Sequence, residues 1–163
     1  MKVIYNDGHV AECPEDEELH VIRHTAAHVL AQAVKRLYPE VKLAIGPSID
    51  NGFYYDFDAP FSFTQEHLDA LEAEMRKICK EKLKLERFEL PREKIVKENL
   101  PIKPFVLSRE EAVKLMEERG EKYKVEHIGD LPEDAVLSFY QQGEYIDMCV
   151  GPHLTYTKAL KAF

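Results

Sequence analysis

Two short stretches set four potential ligands at matched spacings: "HTAAH" places His24 and His28 four residues apart, and "CVGPH" does the same for Cys149 and His153. On a helix, residues i and i+4 project from one face, one turn apart. Such a pair suits metal chelation, and it equally aims two imidazoles at one small ligand. Thr25 follows His24, so the Glu that a metalloprotease helix carries is missing. Gly151 and Pro152 lie between Cys149 and His153 and forbid a regular helix there, but a tight loop turns both side chains the same way. Three imidazole nitrogens and one thiolate form a plausible zinc set. An isolated His pair on an Ala-rich helix is more often structural, and an isolated Cys is usually a small buried hydrophobe. By spacing alone, metal site, reaction site and packed core all stay open.

The elements that must position these residues follow from periodicity. Asn6-Asp7-Gly8 is a turn signal between strand candidates Lys2 to Tyr5 and His9 to Glu12. Ala27, Leu30, Val34 and Leu37 recur at helical spacing, predicting a helix over His24 to Tyr38 that Pro39 ends. "KLAIGPSIDNGFYYDF" reads as two strands around a turn. Thr64 is placed to cap a long helix with the apolar stripe Leu68, Leu71, Met75 and Ile78, running to about Arg87. Pro91 is placed to open another short helix. "SREE" is a capping box at Ser108, and its helix is expected to end at Gly120. Three strand candidates follow, Lys124 to Ile128, Val136 to Tyr140 and Tyr145 to Met148, with Gly143 in the last turn. Strands in two clusters separated by helices predict an α+β fold, an antiparallel sheet packed against helices with a long central helix.

Composition narrows the class. The 163 residues are 45% hydrophobic and 32% charged, an ordinary globular mixture. No apolar run approaches membrane-spanning length, and a signal-peptide pattern is missing, so no membrane partner and a cytoplasmic location are expected. Cys13, Cys79 and Cys149 are an odd, scattered set, which argues against a disulfide framework. The net charge of -8 is unevenly spread: Arg76 to Lys103 holds ten Lys or Arg against five Glu, leaving -13 on the remainder. That stripe is either a solvated helix face or a weak site for phosphates.

Four stretches in order carry a resemblance: "RHTAAHVLAQAVKRLYP", "IGPSIDNGFYYDF", "EKYKVEHI" and "GEYIDMCVGPHLTYTKALKAF". Together they resemble the editing domain of bacterial threonyl-tRNA synthetases, from about Leu19 to Phe163. Alanyl-tRNA synthetases and free-standing alanyl-tRNA deacylases share the His-x3-His and Cys-x3-His skeleton. The Gly-Pro pair before the last His, with Ile146-Asp147 ahead of the Cys, resembles the threonyl type. The resemblance implies a hydrolase that removes serine mistakenly joined to threonine tRNA. It implies a pocket lined by His24, His28, Cys149 and His153, with His24 positioning water and moving its proton. Lys124 would stabilise negative charge or steer ribose and water, and Asp147 would grip the substrate ammonium. Tyr55 would bind substrate, and Cys149 would be a wall rather than a nucleophile.

On metal, ligand spacing points to zinc held by His24, His28, Cys149 and His153, whereas the threonyl-type resemblance implies editing without it. The expected partners are the acceptor end of seryl-tRNA(Thr) and synthetase domains beyond Phe163. Residues 1–20 are expected to be a short extension or hairpin, a curtailed counterpart of the β-grasp domain that usually precedes the family's editing domain, and 21–163 the editing domain. Two departures from the family pattern are visible, that curtailed β-grasp region and Val150, which stands where the family usually has Arg; no aminoacylation motif lies in these residues. The alternatives are a non-catalytic binding module like those of nucleoside-kinase-like proteins, or a zinc-dependent alanyl-type deacylase.

Overall fold

The computed structural model describes residues 1–89, 109–130 and 137–161. Strands β1 (Lys2–Ile4) and β2 (Val10–Glu12) form the expected hairpin, and Gly8 takes φ +87° in its turn. Helix α1 spans Glu18–Leu37, beginning six residues before His24. The reason is that its apolar face reaches back to fully buried Val21, while Glu18 in the first turn meets the N-terminal ammonium at 3.0 Å. Ala26, Ala27, Val29, Ala31, Ala33 and Val34 are buried as well, so α1 is covered on most sides and is the central helix.

The "KLAIGPSIDNGFYYDF" stretch is an interrupted hairpin arm. Strands β3 (Lys42–Leu43) and β6 (Phe57–Asp58) pair at its base, and β4 (Ser48–Ile49) and β5 (Gly52–Phe53) pair at its tip. Gly46 sits at the interruption, where an added Cβ would fall 2.0 Å from the Tyr55 ring. The glycine lets that ring lie against the backbone.

Helix α2 (Gln65–Glu81) starts at Thr64, whose N–H donates to His67 Nδ1 at 3.0 Å. Leu71, Met75 and Ile78 are buried against α1, but Leu68 is 51% exposed and leaves the predicted stripe. The helix also stops short of Arg87. Lys82 adopts the left-handed conformation at φ 58°, and β7 (Leu85–Glu89) runs antiparallel to β8 (Ser138–Gln142). A strand partner from the far end of the chain overrides the helical propensity of the Lys/Glu run.

Helix α3 (Arg109–Glu118) ends at Gly120, as expected, with φ +70°. The expected strand Lys124 to Ile128 is instead helix α4 (Lys122–Asp130). Helical spacing puts buried Lys124 and Ile128 on one face, and the N–H groups of Lys124 and Val125 both donate to the Glu121 carbonyl. Strands β8 (Ser138–Gln142) and β9 (Tyr145–Met148) join through Gly143 at φ +59° and complete the sheet β7-β8-β9. Strand β10 (His153–Leu154) pairs with β1, registering His153 opposite Ile4. The expectations at Pro91, Ser108 and Val136 fall outside the described residues.

The main core lies where α1 and α2 meet β1 and β10, with Val3, Val29, Met75, Ile78 and Leu154 in contact. A second cluster of Ile128, Met116, Leu137 and Phe139 anchors α3 and α4 to β8. Helices and small antiparallel sheets thus make an α+β fold around a 20-residue central helix. No helix among the described residues is long and apolar enough to cross a membrane.

Candidate active site

Helix α1 sends His24 and His28 toward the chain that leaves β9. The loop after β9 returns Cys149 and His153 to meet them, and one donor atom from each of the four residues lies within 4.8 Å of the others. The His24 and His153 ring centroids are 4.2 Å apart, as are those of His28 and His153. Cys149 Sγ lies 3.0 Å from His153 Nε2. The loop between them is tight: Gly151 has φ +64°, and a Cβ there would stand 2.2 Å from the Tyr140 hydroxyl. Only glycine allows this approach. Pairing of β10 with β1 then fixes His153 from behind.

Beside the imidazoles is a buried carboxylate with a full set of partners. Asp147 Oδ2 accepts from the hydroxyls of Tyr55 at 3.0 Å and Tyr145 at 2.9 Å. Its Oδ1 accepts from the Met148 N–H at 2.8 Å and faces Lys124 Nζ at 3.0 Å. Lys124 also donates to the Tyr55 hydroxyl at 3.3 Å, and His28 Nε2 is 3.7 Å from Asp147. These contacts offset the desolvation of a buried ion pair. Asp147 and Lys124 also border a cavity of about 340 Å³ that continues past Gln32, Lys35 and Arg119.

Burial sets the protonation states. It drives His24 from 6.5 to about 4, with the His20 charge adding to the effect. His28 and His153 are pushed well below the ordinary imidazole range, first by burial and then by neighbouring positive charge. Burial, followed by the Asp147 charge, pushes the Cys149 thiol well above its usual value. At neutral pH the cluster is therefore three neutral imidazoles and a thiol. Such a set can accept a proton from water, but its sulfur is poorly prepared for nucleophilic attack.

The structure brings His24, His28, Cys149 and His153 into one cluster, and Asp147, Lys124 and Tyr55 into the adjoining network. Tyr145 was not singled out by the sequence reading. Strand period two places it on the same face as Asp147, and that was the available signal. Gly46 supports Tyr55, and Thr25 meets His153; a glycine in a turn and a threonine in a helix carry no local sign of either task.

Three imidazoles and a thiol match the donor chemistry of zinc. Loading would deprotonate Cys149 and draw the four donors together, so these residues fit the metal chemically.

No family model matches the chain. Curated relatives do. A threonine--tRNA ligase of Clostridium novyi (strain NT) is 58% identical over 164 residues, which cover 99% of this chain and 23% of the relative. Those of Clostridium acetobutylicum and Clostridium kluyveri are 60% and 58% identical, over 86% and 91% of this chain and 19% and 21% of themselves. The α+β chain with its buried His/Cys cluster is thus related to aminoacyl-tRNA synthetases. It is a homologue of the threonine--tRNA ligases, matching a domain-sized segment of them. The chain spans about a fifth of the length of the curated relatives it matches.

Proposed function

We propose that this chain hydrolyses the ester of seryl-tRNA(Thr), as the proofreading part of a threonyl-tRNA synthetase. The observation that carries the proposal is the convergence of three neutral imidazoles, His28 and His153 buried and His24 half-buried, with the Lys124–Asp147 pair. Homology to threonine--tRNA ligases supplies the substrate class. The need for a second site is physical. Serine lacks one methyl of threonine, and a methyl supports only about 1–3 kcal/mol of discrimination in one pocket.

In this reading, water held by His24 attacks the ester carbonyl while His24 accepts its proton. Lys124 stabilises the developing oxyanion. Collapse breaks the bond to the ribose oxygen, which takes the proton that His24 accepted, and serine and tRNA leave. Asp147 holds the substrate ammonium. Because Lys124 already occupies Oδ1 at 3.0 Å, the incoming ammonium replaces it there and frees Nζ to face the ester. His28 and His153 complete the wall with Cys149, and Tyr55 keeps Asp147 oriented.

The alternative is a zinc-dependent deacylase, favoured by the donor set itself. His24, His28, Cys149 and His153 would hold the ion, which would supply Lewis acidity. The test is a deacylation assay with the purified chain, with and without chelator. Release of serine from seryl-tRNA(Thr), sparing of threonyl-tRNA(Thr), and indifference to chelator are expected. Equal hydrolysis of both esters removes the specificity, and loss of activity restored by zinc selects the alternative. Binding of the tRNA is expected to weaken steeply with salt, as it does wherever phosphates are held by Lys and Arg.

A further inference from the structure

We propose that Thr25 is a positioning residue whose hydroxyl holds His153 in the tautomer protonated on Nε2, and so keeps the four-residue cluster in its metal-free form. This deepens the zinc-free reading given above and concerns a residue that touches neither substrate nor water in it.

The position of one proton decides the tautomer. Thr25 is fully buried, so bulk water does not reach its hydroxyl. Its Oγ1 has two hydrogen-bonding neighbours among the described residues: the Leu154 N–H at 3.0 Å and His153 Nδ1 at 3.3 Å. A backbone N–H only donates, so Oγ1 accepts from Leu154. Among the described residues the hydroxyl proton then has a single acceptor within reach, the Nδ1 lone pair. A neutral imidazole carries one proton, which must therefore sit on Nε2. Nε2 faces Cys149 Sγ at 3.0 Å, and its N–H donates to the sulfur.

The opposite tautomer reverses each of these roles. Nδ1–H would donate to Oγ1, and the Thr25 proton would be left buried without an acceptor, which is costly. That same tautomer exposes the Nε2 lone pair beside Sγ, the form a metal at the cluster requires. Metal binding and the Thr25 hydrogen bond thus compete for one ring. An interaction outside the cluster orients the imidazole and decides which nitrogen is available, as outer groups do in metal sites generally.

The test uses the full chain and reads two quantities, neither of them hydrolysis, so it stands or falls separately from the editing reaction. In nitrogen-15 NMR of the wild type, His153 is expected to show a protonated Nε2 and an unprotonated Nδ1. Thr25→Ser, which keeps the hydroxyl, should retain that pattern and the wild-type zinc affinity. Thr25→Val should lose the preference and bind added Zn²⁺ about tenfold more tightly, the size expected when a buried hydroxyl need no longer be orphaned. A wild-type spectrum with the proton on Nδ1, or Thr25→Val with unchanged tautomer and unchanged zinc affinity, would overturn the proposal. Should Thr25→Val fail to fold, the wild-type and Thr25→Ser spectra decide alone.

Discussion

Helix α1 carries two polar clusters eight residues apart, and they are built on opposite principles. At His28 the surroundings are buried: a carboxylate, a lysine, two tyrosine hydroxyls and the neighbouring imidazoles. At Arg36 a guanidinium near the surface binds Glu74, Glu81 and Glu144 from α2 and the β8–β9 turn. Both clusters tie α1 to the β8–β9 hairpin, the first through Asp147 and the second through Glu144. In the first, burial outweighs attraction and strips protons from the imidazoles. In the second, the Arg36 charge outweighs desolvation and holds Glu144 down from 4.5 to about 2. One environment keeps its imidazoles neutral and its thiol protonated at neutral pH, the other keeps its carboxylates and guanidinium charged.

The largest expected effect separates chemistry from structure. In single-turnover deacylation, His24→Ala and Lys124→Ala should each lower the rate by roughly 10²-fold or more, with the circular dichroism unchanged. Cys149→Ser should keep part of the rate, since the proposed reaction has water rather than sulfur attack the ester. A covalent adduct trapped on Cys149, or an undiminished His24→Ala rate, would put the chemistry elsewhere.

Acid comes next. His24 is lowered in the folded chain, so between pH 6.5 and about 4 the unfolded chain binds more protons than the folded one. Stability is then complete above 6.5 and falls as pH drops through that window, by roughly 2 kcal/mol at pH 5 from His24 alone. His28 and His153 shift the same way and add to it. Denaturant midpoints measured from pH 7 to 4 check this, and His24→Ala should flatten the curve. The hydrolysis rate should likewise show its acidic inflection nearer 4 than 6.5.

The smallest effect belongs to the other cluster. Arg36→Ala should cost roughly 1–2 kcal/mol of stability, since the pairs are partly exposed and screened by salt, and should leave the single-turnover rate alone. A rate loss as large as that of Lys124→Ala would mean that the two clusters are coupled and the contrast drawn here is false.

Part of this arrangement was legible in the residues themselves. The His24/His28 face, the cap at Thr64 and the glycine turns at Gly8, Gly120 and Gly143 are local, set by helical period and by backbone conformations that few residues tolerate. The helical reading of Lys82 to Arg87 and the strand reading of Lys124 to Ile128 were not safe, because short charged segments satisfy either pattern. Pairing with β8 made the first a strand, and burial of Lys124 with Ile128 made the second a helix. That helix puts Lys124 beside Asp147, a meeting no local rule contains. Thr25 and His153 are separated by 128 positions in the chain, and Thr25 and Leu154 by 129. Spacing alone determined which side chains share a face. Which faces meet, and therefore which protons are held and which are lost, was decided only when long-range strand pairing and burial removed water from between them.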